Sequence, residues 1–256
     1  MLKLGIVQFS ALEGRVEENC VHFEQEVKKY SQNGRDLLCF PELCISGYQF
    51  AAGREIDEKA FVAEMAAKYR QPILAGVQAQ ENGKYYDVVC LWDEEGKVLG
   101  EYKKIHLWAS ENDYFDRGSA LTVVEFRGWK IGMLICADLG FAEISTPLAL
   151  DKGADVIIYP SAWGYGWEAL FSGCAGIRAA ENQVYTVAVN RACGDEKYCG
   201  SSTVSNPDGS VLLRLGTTEE AYGEVTLIEE ALGKAREGIP WRQMKQPDIY
   251  EKIKGE

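Results

Sequence analysis

Two residues with reactive side chains, Cys136 and Glu42, each stand at the end of an apolar run that is typical of a buried strand. The runs are KIGMLIC, whose last residue is Cys136, and DLLCFP, which directly precedes Glu42. Reactive groups of α/β proteins commonly lie at the carboxyl ends of strands. A carboxylate at such a buried position must pair with a cation or accept protons with a raised pKa. Glu42 is therefore either a salt-bridged loop residue or a general base.

The segment after Cys136, CADLGFAEISTPLAL, is predicted to turn from strand to helix. A thiol on such a sharp turn lies near backbone N–H groups and a helix N-terminus, which favour a thiolate and an oxyanion. The GxSxG pattern of serine hydrolases is absent. A cysteine that ends an apolar strand is otherwise an inert core residue. The turn that follows is what makes Cys136 a candidate nucleophile.

A cysteine nucleophile needs a base, and the chain has only two histidines. His22 falls in a predicted amphipathic helix over residues 17–32 and is interpreted as a partly exposed helical residue. A Cys–His pair is possible only through His106, in YKKIHLW, and a carboxylate base is the more economical choice. Lys104, in the same segment, is either a solvated lysine at a strand end or part of the site.

The elements that must position these residues repeat along the chain. KLGIVQF corresponds to KIGMLIC, and DLLCFPE corresponds to DVIIYPS. Two further pairs are PILAGVQAQ with VYTVAVNRA, and VVCLWDEEGKVLGEY with SSTVSNPDGSVLLRL, where DEEGK and NPDGS are predicted hairpin turns. The repeat predicts two βαβ-rich halves that contain both parallel and antiparallel strands.

The segments between the strands are predicted to be helices with one apolar side. Apolar residues recur at helical spacing in two of them: Cys20, Phe23, Val27 and Tyr30, and then Phe61, Met65 and Tyr69. Two sheets that carry helices on one face each must bury their other faces against each other. The sequence therefore predicts an α/β fold, a four-layer α-β-β-α sandwich with internal pseudo-duplication. A single doubly wound sheet is the competing architecture.

No linker rich in Pro, Gly or Ser divides the chain, so residues 1–256 are predicted to form one domain with one core. From about residue 230 the sequence is polar and is broken by Pro240 and Pro247. This composition predicts an extended C-terminal arm that lies on a neighbouring surface.

Composition and charge restrict the possible partners and the compartment. A net charge of −12 disfavours nucleic acid, and no stretch approaches the ~20 apolar residues that span a bilayer. The start of the chain also lacks the pattern of a secretory signal. The cysteines at 20, 39, 44, 90, 136, 174, 193 and 199 form no CxxC pairs, so most are interpreted as buried thiols of a cytoplasmic protein.

Three segments, PEL (41–43), KKIHLW (103–108) and LICADLGFAE (134–143), together resemble the signature segments of the nitrilase superfamily of carbon–nitrogen hydrolases, in the order and approximate spacing of that family. The resemblance extends from VQF near the N-terminus through YPSAW and RAAENQVYTVAVNR to GIPWRQMKQPDIY, and so covers nearly the whole chain. One such motif would be weak evidence, but the set is highly specific.

The resemblance implies the same sandwich fold and a catalytic triad of Glu42, Lys104 and Cys136. It places Glu111, in SENDYFDRG, as a second glutamate that orients Lys104 or the substrate amine. In the implied mechanism Glu42 takes the thiol proton, while Lys104 and the backbone N–H of Ala137 stabilise the oxyanion. No metal or other cofactor has a role, and family members commonly form homodimers or higher homo-oligomers.

The sequence departs from the family pattern at two positions. Ala137 stands where many relatives carry Tyr or Trp, which opens space beside the nucleophile. Gly140 stands where amidases and decarbamylases for carboxylate-bearing substrates often carry Arg, which weakens the case for an ω-amidase or a carbamoyl-amino-acid hydrolase. Tyr48 and Trp163 fall in segments that match pocket walls, and they are either substrate-binding residues or core aromatics.

The function predicted from the sequence is hydrolysis of a small amide. A nitrilase and an N-carbamoyl amine hydrolase are the alternatives among enzymes, because the triad does not decide between these substrates. A catalytically inactive binding domain on the same fold is a further possibility. A dinucleotide-binding domain is disfavoured because no GxGxxG follows a strand.

Overall fold

The computed structural model describes residues 1–51, 56–192 and 197–254. Within these residues, twelve strands form two six-stranded sheets. The strands of the first half are β1 Leu2–Gln8, β2 Leu37–Cys39, β3 Ile73–Glu81, β4 Lys84–Trp92 and β5 Val98–Lys103, and those of the second half are β6 Thr122–Phe126, β7 Trp129–Met133, β8 Val156–Ser161, β9 Tyr185–Asn190, β10 Thr203–Ser205, β11 Val211–Arg214 and β12 Ala221–Leu227. The helices are α1 Val16–Ser31, α2 Glu58–Tyr69, α3 Ala142–Leu150, α4 Glu168–Asn182, α5 Glu229–Gly238, α6 Trp241–Met244 and α7 Pro247–Lys254.

The two sheets have the same internal plan. The first has the strand order β12-β1-β2-β3-β4-β5, and the second has the order β6-β7-β8-β9-β10-β11. Three neighbouring strands run parallel in each sheet: β1, β2 and β3 in the first, and β7, β8 and β9 in the second. Antiparallel strands flank them on both sides. The four strand pairs that the sequence repeat predicted occupy equivalent places, which confirms the pseudo-duplication.

Alternation along the strands shows which face of the first sheet meets which layer. In β2, Leu37 and Cys39 belong to the core shared with the second sheet, whereas Leu38 packs in a separate cluster with side chains of α1 and α2. Successive side chains of a strand point to opposite faces, so both faces are buried and each by a different partner. The predicted four-layer sandwich is therefore confirmed, and the alternative of one doubly wound sheet is wrong.

The strands that carry the two candidate reactive residues end earlier than the apolar runs suggested. We expected Cys136 to be the last residue of its strand, but β7 ends at Met133. Likewise β2 ends at Cys39, before the proline that precedes Glu42. In both places the neighbouring strand still accepts one backbone N–H beyond the strand end, from Leu134 to Ile158 O and from Phe40 to Leu74 O, and the chain then bends into a buried turn. Both reactive residues consequently lie on turns just beyond the strand ends.

Residues 229–254 form three short helices, where the sequence predicts an extended arm. Pro240 immediately precedes α6, and Pro247 is the first residue of α7. Proline suits the first turn of a helix because the N–H that it lacks would have no intrahelical partner there. The two prolines thus separate helices and start new ones. Across the described part of the chain, no helix has the length and apolar character needed to cross a membrane.

Candidate active site

Lys104 lies directly after β5 and is the centre of a buried charged cluster. Its Nζ donates hydrogen bonds to Glu42 Oε1 at 2.5 Å and to Glu111 Oε1 at 2.8 Å, and it lies 3.3 Å from Asp87 Oδ2. Each of these four side chains is at most 1% exposed. The structure therefore brings together three of the residues singled out from the sequence and adds Asp87.

A glycine in the neighbouring strand sets the position of Glu42. Gly76 of β3 donates its N–H to Pro41 O at 3.1 Å and accepts the Cys44 N–H at 3.0 Å, so it is bonded to both sides of the Glu42 turn. A Cβ on Gly76 would lie 2.6 Å from the Glu42 Cα. Only glycine permits this close approach of strand and turn.

Tyr48 and the turn that carries Glu111 complete the cluster. The Tyr48 hydroxyl lies 2.9 Å from Glu42 Oε2 and 3.1 Å from Glu111 Oε1. Glu111 belongs to a short 3-10 turn, Ala109–Asp113, and its Oε2 accepts the Trp108 backbone N–H at 2.8 Å. Glu111 is thus tied to the backbone of its own loop, and Tyr48 contacts both glutamates as well as the cavity beside them.

Cys136 begins a second 3-10 turn, Cys136–Gly140, with a positive φ of 46°. A residue other than glycine in this left-handed region costs roughly 1–3 kcal/mol, so the surrounding turn must enforce it. The first N–H groups of such a turn have no partner within it, which leaves the Ala137 N–H available beside the thiol. Contact with the backbone of Ala162, directly after β8, lowers the pKa of the Cys136 thiol against the effect of burial.

Asp138 holds this turn in place. Its Oδ2 accepts hydrogen bonds from the Ile135 N–H at 3.0 Å and from the Tyr102 hydroxyl at 2.7 Å, which connects the turn to β5 of the other sheet. Its Oδ1 lies 2.7 Å from His106 Nδ1, and the His106 ring stacks on Phe141. His106 is therefore engaged in fixing the turn, and His22 lies on the half-buried side of α1, stacked on Phe9.

Burial and charge set the protonation states of the cluster in opposite directions. Burial would raise the pKa of Glu42, but the charge of Lys104 and the contacts with neighbouring polar groups lower it below its usual value. Burial raises the pKa of the Cys136 thiol well above its usual value, and the Glu42 charge adds to this effect. Near neutral pH the cluster therefore combines a carboxylate at Glu42 with a protonated thiol at Cys136.

The lysine remains charged in spite of its burial. Removal from water would lower the pKa of Lys104, but the surrounding acidic groups raise it well above its usual value. Burial raises the pKa of Glu111, and Lys104 opposes that rise. Glu42, Asp87 and Glu111 offer oxygens within 4.8 Å of one another, a geometry that a metal ion could use. The ammonium of Lys104 already lies among these oxygens, so the donor set fits lysine rather than a metal.

A cavity of about 970 Å³ opens above Cys136 and Ala137. Seven of its eighteen described lining residues are Phe, Trp or Tyr, and edge-to-face contacts join Trp108 to Trp167 and Trp167 to Trp163. Gly140 also lines the cavity, and the space beyond it is open. Among the described lining residues, Lys197 is the only lysine, arginine, aspartate or glutamate, and its Nζ lies 2.8 Å from Glu13. The cavity thus offers an apolar surface directly beside the thiol.

Sequence reasoning missed three residues of this site. Asp87 and Asp138 are buried polar residues, and Ala162 contributes only its backbone. The sequence did contain a signal for Asp87, because this acidic residue directly precedes the apolar run VVCLW within β4. Asp138, two residues after Cys136, is the side chain that bonds the turn. Nothing in the type of Ala162 could have indicated its place.

With this geometry established, comparison with known proteins identifies the family. The sequence profile described as Carbon-nitrogen hydrolase matches residues 3–236. This chain belongs to the carbon–nitrogen hydrolase family. Its sequence is 30% identical to that of the 2-oxoglutaramate amidase of Bacillus subtilis, over 96% of this chain and 98% of that protein.

Other relatives carry different names. A protein called nitrilase from Pyrococcus abyssi is 32% identical over 87% of this chain and 88% of its own length. The crystal structure of Nit3 from Saccharomyces cerevisiae, a member of branch 10 of the nitrilase superfamily, has 25% identity and a TM-score of 0.84 and covers 96% of both chains. The carbon–nitrogen hydrolase therefore shares both sequence and fold with proteins of this superfamily.

Proposed function

We propose that this carbon–nitrogen hydrolase cleaves the C–N bond of a small amide and releases ammonia or an amine, with Cys136 as the nucleophile. The observation that carries the proposal is the buried cluster in which Lys104 joins Glu42 and Glu111 next to a thiol on a strained turn. The amidase name of the Bacillus subtilis relative supports an amide substrate.

The proposed first step forms a thioester. Glu42, a carboxylate at neutral pH, takes the proton of the Cys136 thiol as the sulfur attacks the amide carbon. The oxyanion that forms is stabilised by the Lys104 ammonium and the Ala137 N–H, which are already in place before the reaction. Glu42 then gives the proton to the nitrogen as the C–N bond breaks, and the amine leaves.

Water completes the proposed cycle. Glu42 removes a proton from a water molecule, the oxygen attacks the thioester carbon, and the C–S bond breaks. The proton returns to the sulfur, so the enzyme regains its thiol and its carboxylate, and a carboxylic acid is released. Glu111 keeps Lys104 oriented through their 2.8 Å hydrogen bond during both steps.

A substrate screen tests the reaction class. Purified enzyme is incubated with matched amides, nitriles and N-carbamoyl amines that carry the same side chain, and released ammonia is measured. We expect the amides to be turned over fastest. If a nitrile is turned over faster than the matched amide, the enzyme is a nitrilase. The name of the Pyrococcus abyssi relative supports this alternative. Absence of turnover on every class would support an inactive binding domain.

Trp163 and Tyr48 are proposed to bind the substrate. We expect Trp163→Ala to raise KM for an arylalkyl amide by about tenfold, because an aromatic contact and its buried area are worth roughly 1–2 kcal/mol. Acetamide, which has only a methyl group with which to contact an aromatic ring, serves as the internal control and should show little change in KM. Equal losses on both substrates, or a fall in thermal midpoint with no change in KM, would argue that Trp163 is only a core aromatic.

The C-terminal helices are proposed to join two copies into a homodimer. They expose five large apolar side chains: Trp241, Met244, Ile249, Tyr250 and Ile253. Exposed apolar side chains concentrated on one segment are typical of a surface that another chain covers. The amphipathic pattern of α7 places Ile249 and Ile253 one helical turn apart.

Light scattering tests the dimer. We expect the double variant Ile249→Asp, Ile253→Asp to halve the measured mass, because two carboxylates in the interface would lose water without gaining a partner. Val21→Asp on α1, another exposed apolar residue, is the matched control and should leave the mass unchanged. A wild-type enzyme that is already monomeric would contradict the proposal.

A cytoplasmic location is also proposed. Each of the seven cysteines in the described residues is a free thiol, and Cys193 lies outside those residues. Free thiols persist in reducing compartments, where disulfides are rare. Fractionation of the source cells followed by immunodetection would test this location.

A further inference from the structure

Asp87 of β4 touches the active-site lysine through both its backbone and its side chain. Its carbonyl accepts the Lys104 N–H at 2.9 Å, and its carboxyl lies beside the Lys104 ammonium and the Glu42 carboxylate. The side chain is fully buried. Neither the sequence motifs nor the proposed mechanism gives this carboxyl a role.

The carboxyl oxygens of Asp87 accept no hydrogen bond from the described residues. Nζ of Lys104 lies 3.3 Å from Oδ2, yet neither Oδ1 nor Oδ2 has a hydrogen-bond partner. The other two carboxyls differ sharply. Glu42 accepts from Lys104, and Glu111 accepts from Lys104 and the Trp108 N–H. The single proton of the Tyr48 hydroxyl lies within reach of both glutamates and can be donated to either. An ionised carboxylate buried without donors is costly, whereas a protonated one can itself be a donor.

The charge count of the cluster also requires a proton. One ammonium faces three carboxyls, all removed from water. If all three were ionised, the cluster would hold two negative charges without compensation, which is unfavourable for groups removed from water. A shared proton is the usual solution when like charges are forced together. The proton belongs on the carboxyl that has the fewest donors around it, which is Asp87.

We propose that Asp87 carries a proton in the resting enzyme and donates a hydrogen bond to Glu42. This makes Asp87 a positioning residue: it holds the Glu42 carboxylate in place and stabilises its charge while Glu42 faces the thiol. The role rests on the proposed function, because it acts through Glu42 as the general base. Burial and the charge of Glu42 both raise the pKa of Asp87, and contact with Asp87 lowers that of Glu42, in agreement with this assignment.

Two variants of nearly the same shape separate the donor from its charge. Asp87→Leu has no polar atom, and we expect kcat to fall by at least about tenfold, the usual value of a hydrogen bond to a charged group. The acid limb of the kcat/KM profile should move to higher pH, because Glu42 loses a donor that lowers its pKa. Asp87→Asn is neutral and keeps an N–H donor, so it should recover most of kcat and return the limb toward its wild-type position.

A spectroscopic measurement locates the proton without relying on turnover. The infrared difference spectrum of wild type minus Asp87→Asn, recorded near neutral pH, should contain the carbonyl stretch of a protonated carboxyl. The same band should remain in Glu111→Gln. These results stand even if Glu42 is not the base, so a failed mechanism and a failed assignment of the proton are distinguishable.

Several outcomes would overturn the proposal. If kcat falls as far in Asp87→Asn as in Asp87→Leu, the enzyme needs an ionised carboxyl or one that exchanges its proton. Full activity in both variants would leave Asp87 without a positioning role. If the wild-type spectrum lacks the band of a protonated carboxyl, Asp87 carries no proton. If the band is lost in Glu111→Gln but persists in Asp87→Asn, the proton does not lie on Asp87.

Discussion

Cys136→Ala is expected to abolish turnover, with kcat falling by at least about 10⁴-fold, because the covalent route disappears with the sulfur. The protein should still fold. The Cys136 side chain is small, and the backbone hydrogen bonds of Asp138 that hold the turn do not involve the thiol. Steady-state ammonia release and the thermal midpoint, measured on the same preparation, check both statements. Residual activity above about a tenth of wild type would exclude Cys136 as the nucleophile.

Cys174→Ala is the matched control for this variant. Cys174 lies half-buried on α4, away from the charged cluster, and we expect its replacement to keep turnover. Iodoacetamide labelling with peptide mapping gives a second readout. We expect Cys136 to be alkylated faster than Cys39 or Cys174, although burial raises the pKa of the Cys136 thiol, because Glu42 accepts the proton within the site. Slower labelling of Cys136 than of both controls would contradict this mechanism.

Glu42→Gln is expected to lower kcat by at least about 10³-fold, since it removes the proposed base from both halves of the reaction. Glutamine keeps the size of the side chain and an oxygen that can accept from Lys104, so a purely structural role would leave turnover per folded molecule nearly unchanged. Raising the pH should not restore activity, because the amide does not titrate. Pre-steady-state measurement should show that formation and hydrolysis of the thioester are both slow.

The pH dependence of the wild-type enzyme follows from the same assignment. Glu42 must be ionised, and Lys104 with the neighbouring hydrogen bonds lowers its pKa below the ordinary value of 4.5. The acid limb of kcat/KM should therefore lie below about pH 4.5. Activity falls as pH decreases through the folded-state pKa of Glu42 and is fully present above it. An acid limb near the ordinary histidine pKa of about 6.5 would favour His106 instead.

His106→Asn is the control for the choice of base. With Glu42 as base, the variant should keep substantial chemistry, although the bond to Asp138 changes and the turn loses some support. A Cys–His mechanism would lose its base with this substitution. An inactive His106→Asn beside an active Glu42→Gln would overturn the proposed mechanism.

The sequence was sufficient for the fold because local patterns carry most of that information. Apolar runs, hairpin turns and one-sided helices each depend on neighbours close along the chain, and their repetition in two halves constrained the arrangement further. The same patterns misplaced the strand ends, because an apolar run does not reveal where the ladder stops and a buried turn begins. They also misjudged the C-terminus, where proline starts helices α6 and α7.

The partners of Lys104 are decided by the tertiary structure. Glu42, Asp87 and Glu111 come from a turn after β2, from the interior of β4 and from a loop after β5, and only the pairing of strands brings their oxygens within 4.8 Å. The resemblance to a family pointed to Glu42, Lys104, Glu111 and Cys136 through short motifs. Asp87 lies outside those motifs, and its lack of hydrogen-bond donors is a property of the packed site.

The amino-acid sequence by itself thus determined the sandwich, its duplication and the membership of the carbon–nitrogen hydrolase family, because these depend on patterns and motifs that can be read locally. Only the tertiary structure decided which groups surround the lysine, how Asp138 fixes the turn of Cys136 and which aromatic side chains wall the cavity. The physical reason is that protonation and hydrogen bonding depend on burial and on neighbours distant along the chain.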